Sequence, residues 1–146
     1  LIANSAQAAG VLSEQSIDNL KSLHHFGKQL GLAFQVVDDI LDFTGNDQQL
    51  GKPASTDLAS GYLTAPALYA LEEQPELSRL IEREFSGEGD LEEALEIVRA
   101  SNAIERARNL AETFAREARD ALLWVPESSY QRALVSLPDF VLSRLF

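Results

Sequence analysis

The sequence predicts an all-α protein, on three observations. Nearly every segment of its 146 residues carries apolar residues at helical spacing, and no run alternates for long as a strand would. Glycine and proline punctuate the chain between those segments. Hydrophobic residues make up 45% and charged residues 24%, a balance typical of chains that fold around a core. With no repeat, low-complexity tract or Gly/Ser-rich linker, residues 1–146 read as one unit of about seven or eight helices.

The elements follow in order. Residues 1–12 are rich in small side chains (Ala3, Ser5, Ala6, Ala8, Ala9 and Gly10), which suits a helix packed closely against neighbours. Ser13 is placed to cap the next helix, with Ser16 and Asp18 in its first turn. That helix either spans 14–28 or continues to 43. Gly45, Asn46 and Asp47 mark a turn, and LGKPASTDLASGYLT after it reads as a loop with short turns. Thr64 followed by Pro66 signals a helix start, with Pro75 breaking that helix after about residue 73 and another covering 76–85. Beyond Gly87 and Gly89, Asp90 and Glu93 resemble a capping box for a helix to 98 or 99. Ser101 or Asn102 caps the longest clear helix, 103–124, where Ile104, Ala107, Leu110, Ala111, Phe114, Ala118, Ala121 and Leu122 form one stripe. Pro126 ends it, and two shorter helices are expected over 129–137 and 138–146.

The bulk numbers exclude several classes of function. A formal net charge of −11 opposes a nucleic-acid surface, which needs clustered Lys and Arg. No apolar run approaches the roughly 20 residues that span a bilayer, and no signal-peptide pattern opens the chain. With no cysteine there is neither a disulfide nor a thiolate metal site. These features suit a cytoplasmic or organelle-interior setting. The chain also lacks methionine and begins at Leu1 inside a helical pattern, which we read as truncation in preference to loss of a short leader.

The chemistry concentrates in LAFQVVDDILDF, residues 32–43, where three aspartates interrupt an apolar run with no Lys or Arg beside them. At about 100° per residue, Gly31, Gln35, Asp38, Asp39 and Asp42 share an arc of roughly 100°, and an arc of about 200° on the other side is apolar. A surface helix needs an apolar stripe only about 100° wide, so this helix is expected to be largely enclosed, its acidic face turned to a cavity. On an exposed helix, like charges one turn apart cost only about 0.2–0.5 kcal/mol. In a cleft of effective dielectric near 20, carboxylates about 6 Å apart repel by roughly 3 kcal/mol. Such a cluster protonates, finds cations or holds a metal. Asp38 and Asp42, one turn apart, suit a hard divalent ion, Mg²⁺ best, since it favours oxygen ligands and shares phosphate oxygens. The plain alternative is an acidic helix face neutralised by distant Arg or Lys. Lys52, nine or ten residues further on in Gly51-Lys52-Pro53, is a candidate counter-charge for a phosphate, though most loop lysines are merely solvated.

Taken together, FQVVDDILDF, GNDQQLGKPASTDL and GYLTAPALYAL resemble the C-terminal half of trans-polyprenyl diphosphate synthases, DDILD matching their second aspartate-rich motif, DDxxD. The wording is closest to the long-chain, solanesyl-type branch of cyanobacteria and plastids, and the resemblance runs from Leu1 to Phe146. It implies the C-terminal half of the all-helical isoprenoid synthase fold. It also implies a Mg²⁺-dependent reaction in which isopentenyl diphosphate condenses head to tail with an ionised allylic diphosphate. Carried over, Asp38 becomes the most direct metal ligand, and Asp39 and Asp42 ligate directly or through water. Phe34 and Gln35 lie on the cavity wall, Lys52 contacts the allylic diphosphate, and Asp57 orients the loop from a second shell. The family usually forms homodimers. Tyr62 departs from the pattern, standing where many relatives carry a lysine. The first aspartate-rich motif and the Lys-Thr pair that precedes the LIANSA-like helix are absent, so the remaining half of such a synthase is an expected partner and the 146 residues alone are expected to be inactive.

Other candidates read as structural. His24 and His25 are adjacent and diverge by about 100° on a helix, and His24 lies about 21 Å along the axis from Asp38; both read as surface or subunit-contact residues. Lys28 reads as a solvated charge, and Trp124 as an anchor at a helix end. The competing functional reading is a noncatalytic helical partner that stabilises or regulates a prenyltransferase. A blander one is a helical domain whose acidic cluster binds some other cation. The three DDILD carboxylates with Lys52 favour the enzyme.

Overall fold

The computed structural model describes residues 1–45 and 56–145. Among them there is no strand, and the expected all-α class holds. The elements are α1 (Ile2–Leu12), α2 (Ile17–Thr44), α3 (Thr56–Ala59), α4 (Ala65–Glu73), α5 (Leu77–Glu82), α6 (Asp90–Ala100), α7 (Ala103–Asp120) and α8 (Ser129–Leu142), then a 3₁₀ turn, Ser143–Leu145. Two compact units divide the chain, one of Leu1–Val37 with Leu110–Phe146 and one of Asp38–Asn109.

In the first unit α1 lies close on α2. Gly10 and Gly27 mark the approach: a methyl at Gly10 would meet the ends of Leu20 and Leu23, and one at Gly27 would meet the backbone of Ile2 and Ala3. Of the small residues expected to pack, Gly10 is buried and Ala3 and Ala6 are half-buried, whereas Ser5, Ala8 and Ala9 are exposed. Phe26, Leu30, Ala33, Val36, Val37, Ala111, Ala115, Ala118, Leu122 and Val141 are buried in this unit. Gln29 is buried as well and donates to the Glu117 carboxylate.

The cap of α2 is not Ser13. Glu14 adopts a left-handed φ of 53°, so it cannot be the first helical residue after a Ser13 cap, and Ser13 instead closes α1, its N–H and hydroxyl both donating to the Ala9 carbonyl. Ser16 takes the capping role three residues later, its Oγ accepting the Asn19 N–H at 3.2 Å. From there α2 runs unbroken for 28 residues, the longer of the two expected spans. Its buried side is narrower than the composition suggested, since Leu32 and Phe34 on the two flanks are 36% and 42% exposed.

The second unit packs α4, α5 and α6 around Phe43, Leu58, Ala67, Ala70, Leu77, Leu80, Ala94, Val98 and Ala103. Thr64 and Pro66 start α4 as expected, Thr64 extended and Pro66 in the first turn. Within the expected loop, residues 56–59 form one helical turn, with Leu58 fully buried. Helix α5 stops before residue 85 because Glu84 and Phe85 take left-handed φ values of 54° and 52°. The capping box at Asp90 is not formed. Gly89, at φ 82°, supplies the cap, and the Glu93 carboxylate pairs with Arg79 at 2.9 Å. Asp90 stands one residue inside the helix, 4% exposed, accepting from the Gly87 N–H and the Arg83 guanidinium. Arg106 of α7 lies over the Tyr69 ring and pairs with Glu72 and Glu73. The Glu72 carboxylate chiefly holds that guanidinium above its ordinary pKa.

Helix α7 ends at Asp120, four residues short of expectation, where bonds from Leu122, Leu123 and Val125 to carbonyls three residues back tighten the chain into turns. Its fully buried line is Ala103, Ala107, Ala111, Ala115 and Ala118, whereas Ile104, Leu110 and Phe114 of the expected stripe are half-buried. The two expected C-terminal helices are one, α8. Pro138 lies inside it; the ring removes one N–H bond, and its complete burial holds the helix through that point. Ser128 caps α8, accepting the Gln131 N–H at 3.0 Å, and Arg119 pairs with Asp139.

Candidate functional site

The aspartates stand on the last two turns of α2, in the second unit. Asp38 and Asp42 are half-buried, and Asp39 is 7% exposed. That ordering follows from the helix: Ile40 and Phe43 are buried in the core, and Asp39 is the carboxylate whose angular position comes closest to theirs. None of the three lacks an interaction partner, so the expectation of unpaired charges needs correcting. A buried carboxylate without partners would cost far more than the fold could offset.

Asp42 has a defined geometry. Its Oδ1 accepts the Thr56 N–H at 3.2 Å, and its Oδ2 accepts the Asp57 N–H at 3.3 Å. These are the first two backbone donors of α3, groups that have no partner within their own helix. Asp57, expected to orient this region, thus meets Asp42 through its backbone, while its carbonyl accepts from Ser60 and Tyr62. Beside Asp42, the Phe43 carbonyl at the end of α2 accepts from the Arg99 guanidinium at 3.3 and 3.4 Å. Nothing local in the sequence marks Arg99, which lies 56 residues away. Tyr62 is 67% exposed. Lys52 lies outside the described residues.

The other two expected residues belong to the first unit, one turn earlier on the same helix. Phe34 and Gln35 line a cleft of about 480 Å³ with Ile2, Lys28, Gly31 and Leu32. The Arg144 guanidinium lies over the Phe34 ring, 4.8 Å from its centre, a cation–π contact. A lone arginine in the last three residues carries no sequence signal for that role. His24 is half-exposed and His25 exposed, with Nε2 of His25 4.0 Å from a Glu117 oxygen. Trp124 lies in the turn after α7 and is 36% exposed.

As donors, the aspartates suit a hard cation such as Mg²⁺. Among the described residues, however, no three His, Cys, Asp or Glu side chains are grouped to enclose a metal ion. Carboxylates placed in this way leave an ion to complete its shell with water and with anionic oxygens of a ligand, a mode that Mg²⁺ adopts. No helix among the described residues is long and apolar enough to cross a membrane.

The family model for polyprenyl synthetase matches residues 1–98. A prenyl transferase of Synechocystis sp. is 54% identical over 145 residues, covering 99% of this chain and 45% of the relative. Solanesyl diphosphate synthase 2, chloroplastic, of Arabidopsis thaliana is 46% identical, covering 99% of this chain and 35% of that protein. Among solved structures, the polyprenyl synthase of Caulobacter crescentus complexed with calcium and isoprenyl diphosphate superposes with a TM-score of 0.86 at 33% identity. That match covers 99% of this chain and 46% of the other. The chain thus spans about half the length, or less, of the relatives it matches.

Proposed function

Since the chain belongs to the polyprenyl synthetase family, we propose that it supplies the second aspartate-rich motif of a Mg²⁺-dependent prenyltransferase. The reaction is head-to-tail condensation of isopentenyl diphosphate onto an allylic diphosphate. One observation carries this reading: the family match covers residues 1–98, the stretch that holds Phe34, Gln35, Asp38, Asp39, Asp42, Lys52 and Asp57 together. The Caulobacter relative, bound to a divalent cation and an isoprenyl diphosphate, supports the choice of ligand class.

In this reading Asp38, partly exposed near the end of α2, holds the ion most directly, and Asp39 and Asp42 assist directly or through water. When bound, Mg²⁺ supplies positive charge against the diphosphate as it departs. Phe34 and Gln35 bind substrate, Lys52 pairs with the allylic diphosphate, and Asp57 orients its segment. The chain works with the remaining half of such a synthase, as a homodimer, in the cytoplasm or the interior of a plastid.

The test joins this chain to the N-terminal part of the Synechocystis prenyl transferase that it does not match. The joined protein is assayed with an allylic diphosphate, isopentenyl diphosphate and Mg²⁺, with the intact Synechocystis enzyme as control. Elongated products from both support the proposal. Products from the control alone, with the joined protein folded by circular dichroism, would return the chain to the noncatalytic alternative.

A further inference from the structure

We infer that Asp42 serves this site as a positioning residue that anchors α3, and that Mg²⁺ is held without it. The inference rests on the metal–diphosphate reading above and reassigns one of its three carboxylates. Each oxygen of Asp42 accepts a backbone N–H, from Thr56 at 3.2 Å and from Asp57 at 3.3 Å. A ligated cation would compete with those donors for the negative charge of the same carboxylate.

The shortness of α3 makes the anchor necessary. A four-residue helix cannot nucleate by itself, since fixing its first turn yields about one hydrogen bond for roughly six dihedral angles. Among the described residues, Leu58, fully buried in the core, and the Asp42 carboxylate help to hold it. Asp42 is itself fixed, because the next residue, Phe43, is 1% exposed and Arg99 grips its carbonyl. Through Asp57, whose carbonyl accepts from Ser60 and Tyr62, the clasp sets the path of residues 56–62. This is the segment carrying Asp57 and Tyr62. Asp38 and Asp42 thus divide the work, one facing the ion and the other fixing the backbone beside it.

Asparagine separates the two roles in part, because its single amide oxygen can accept only one of the two N–H bonds and it lacks the charge that a hard cation requires. Asp42→Asn, Asp42→Ala and Asp38→Asn are prepared in this chain, alone and joined to the Synechocystis N-terminal part. Hydrogen exchange is read at residues 56–62, and Mg²⁺ is titrated calorimetrically with inorganic pyrophosphate present. Asp42→Ala is expected to speed exchange at Thr56 and Asp57 about fivefold, a cap's typical worth, and Asp42→Asn to keep protection at only one of the two, since its NH₂ cannot accept the second N–H. Asp42→Asn should leave the half-saturating Mg²⁺ concentration within about threefold of the parent, while Asp38→Asn raises it tenfold or more (a loss of about 1.4 kcal/mol or more). The inference is overturned if Asp42→Asn weakens Mg²⁺ binding as much as Asp38→Asn does. It is equally overturned if Asp42→Ala leaves exchange at Thr56 and Asp57 unchanged. Should the parent bind no Mg²⁺ with pyrophosphate, the metal reading fails while the exchange data still decide the clasp.

Discussion

Two glycines one turn apart on α2 should respond to the same substitution with opposite signs. A methyl at Gly27 would stand 2.7 Å from the Ala3 Cα, 2.7 Å from the Ile2 carbonyl oxygen and 2.9 Å from the Ala3 nitrogen. Carbon atoms in good contact are about 3.5–4.0 Å apart, and all three neighbours are backbone, so α1 must retreat by about 1 Å. Forcing a methyl into packed space costs about 1–3 kcal/mol, and alanine's better helix propensity offsets only about 0.8–1 kcal/mol. With three backbone clashes the cost lies toward the upper end, leaving Gly27→Ala net destabilised by about 1–2 kcal/mol. At Gly31 the methyl meets only Ile2 Cδ1, at an ordinary 3.7 Å, so propensity alone remains and Gly31→Ala gains up to about 1 kcal/mol. For a chain of this size each kcal/mol moves the melting temperature by about 2–5 °C. Thermal and urea denaturation of the two variants should therefore diverge by roughly 4–15 °C. Equal stability of the two, or a Gly27→Ala more stable than the parent, would refute the close backbone approach of α1 to α2.

Asp38→Ala in the joined protein should lower Mg²⁺-dependent prenyl transfer by about 100-fold or more, the scale expected for a group acting on departing charge. Asp18→Ala, at an exposed acid paired with Lys21, should stay within about twofold; comparable losses would discredit the site. Removing the Asp90 carboxylate (Asp90→Ala) strips partners from Arg83 and the Gly87 N–H, costing about 1–3 kcal/mol by urea denaturation. Asp90→Asn should recover part of that loss. Ser16→Ala should cost about 1 kcal/mol through its cap on Asn19, and Ser13→Ala less; the reverse order would restore Ser13 as the cap.

Helical class was legible because periodicity is a local property. Punctuation was legible where the residue admits one reading, as at Thr64 and Pro66, which open α4 as expected. It failed where several neighbours qualified. Ser13 and Ser16 can both cap, and the left-handed Glu14 between them decides the matter. Asp90 looked like a cap because only its neighbours in sequence were in view; Arg83 and Gly87 draw it inward instead. Pro138 looked like a boundary because its lost N–H is local, whereas the packing that carries α8 through it is not.

The sequence by itself determined the chemical inventory: three aspartates on the polar arc of one helix, and the family motif around them. Residue type and helical spacing suffice for that, since both are read within a few turns of chain. Helical spacing also set Asp39 beside the core positions Ile40 and Phe43, where it is buried. Tertiary structure alone decided the partners: Asp42 faces Thr56 and Asp57 because the chain returns beside it. Arg99 reaches the end of α2 from 56 residues away. Hydrogen-bond partnership depends on what folds back against a helix, and helical spacing within that helix carries no record of it.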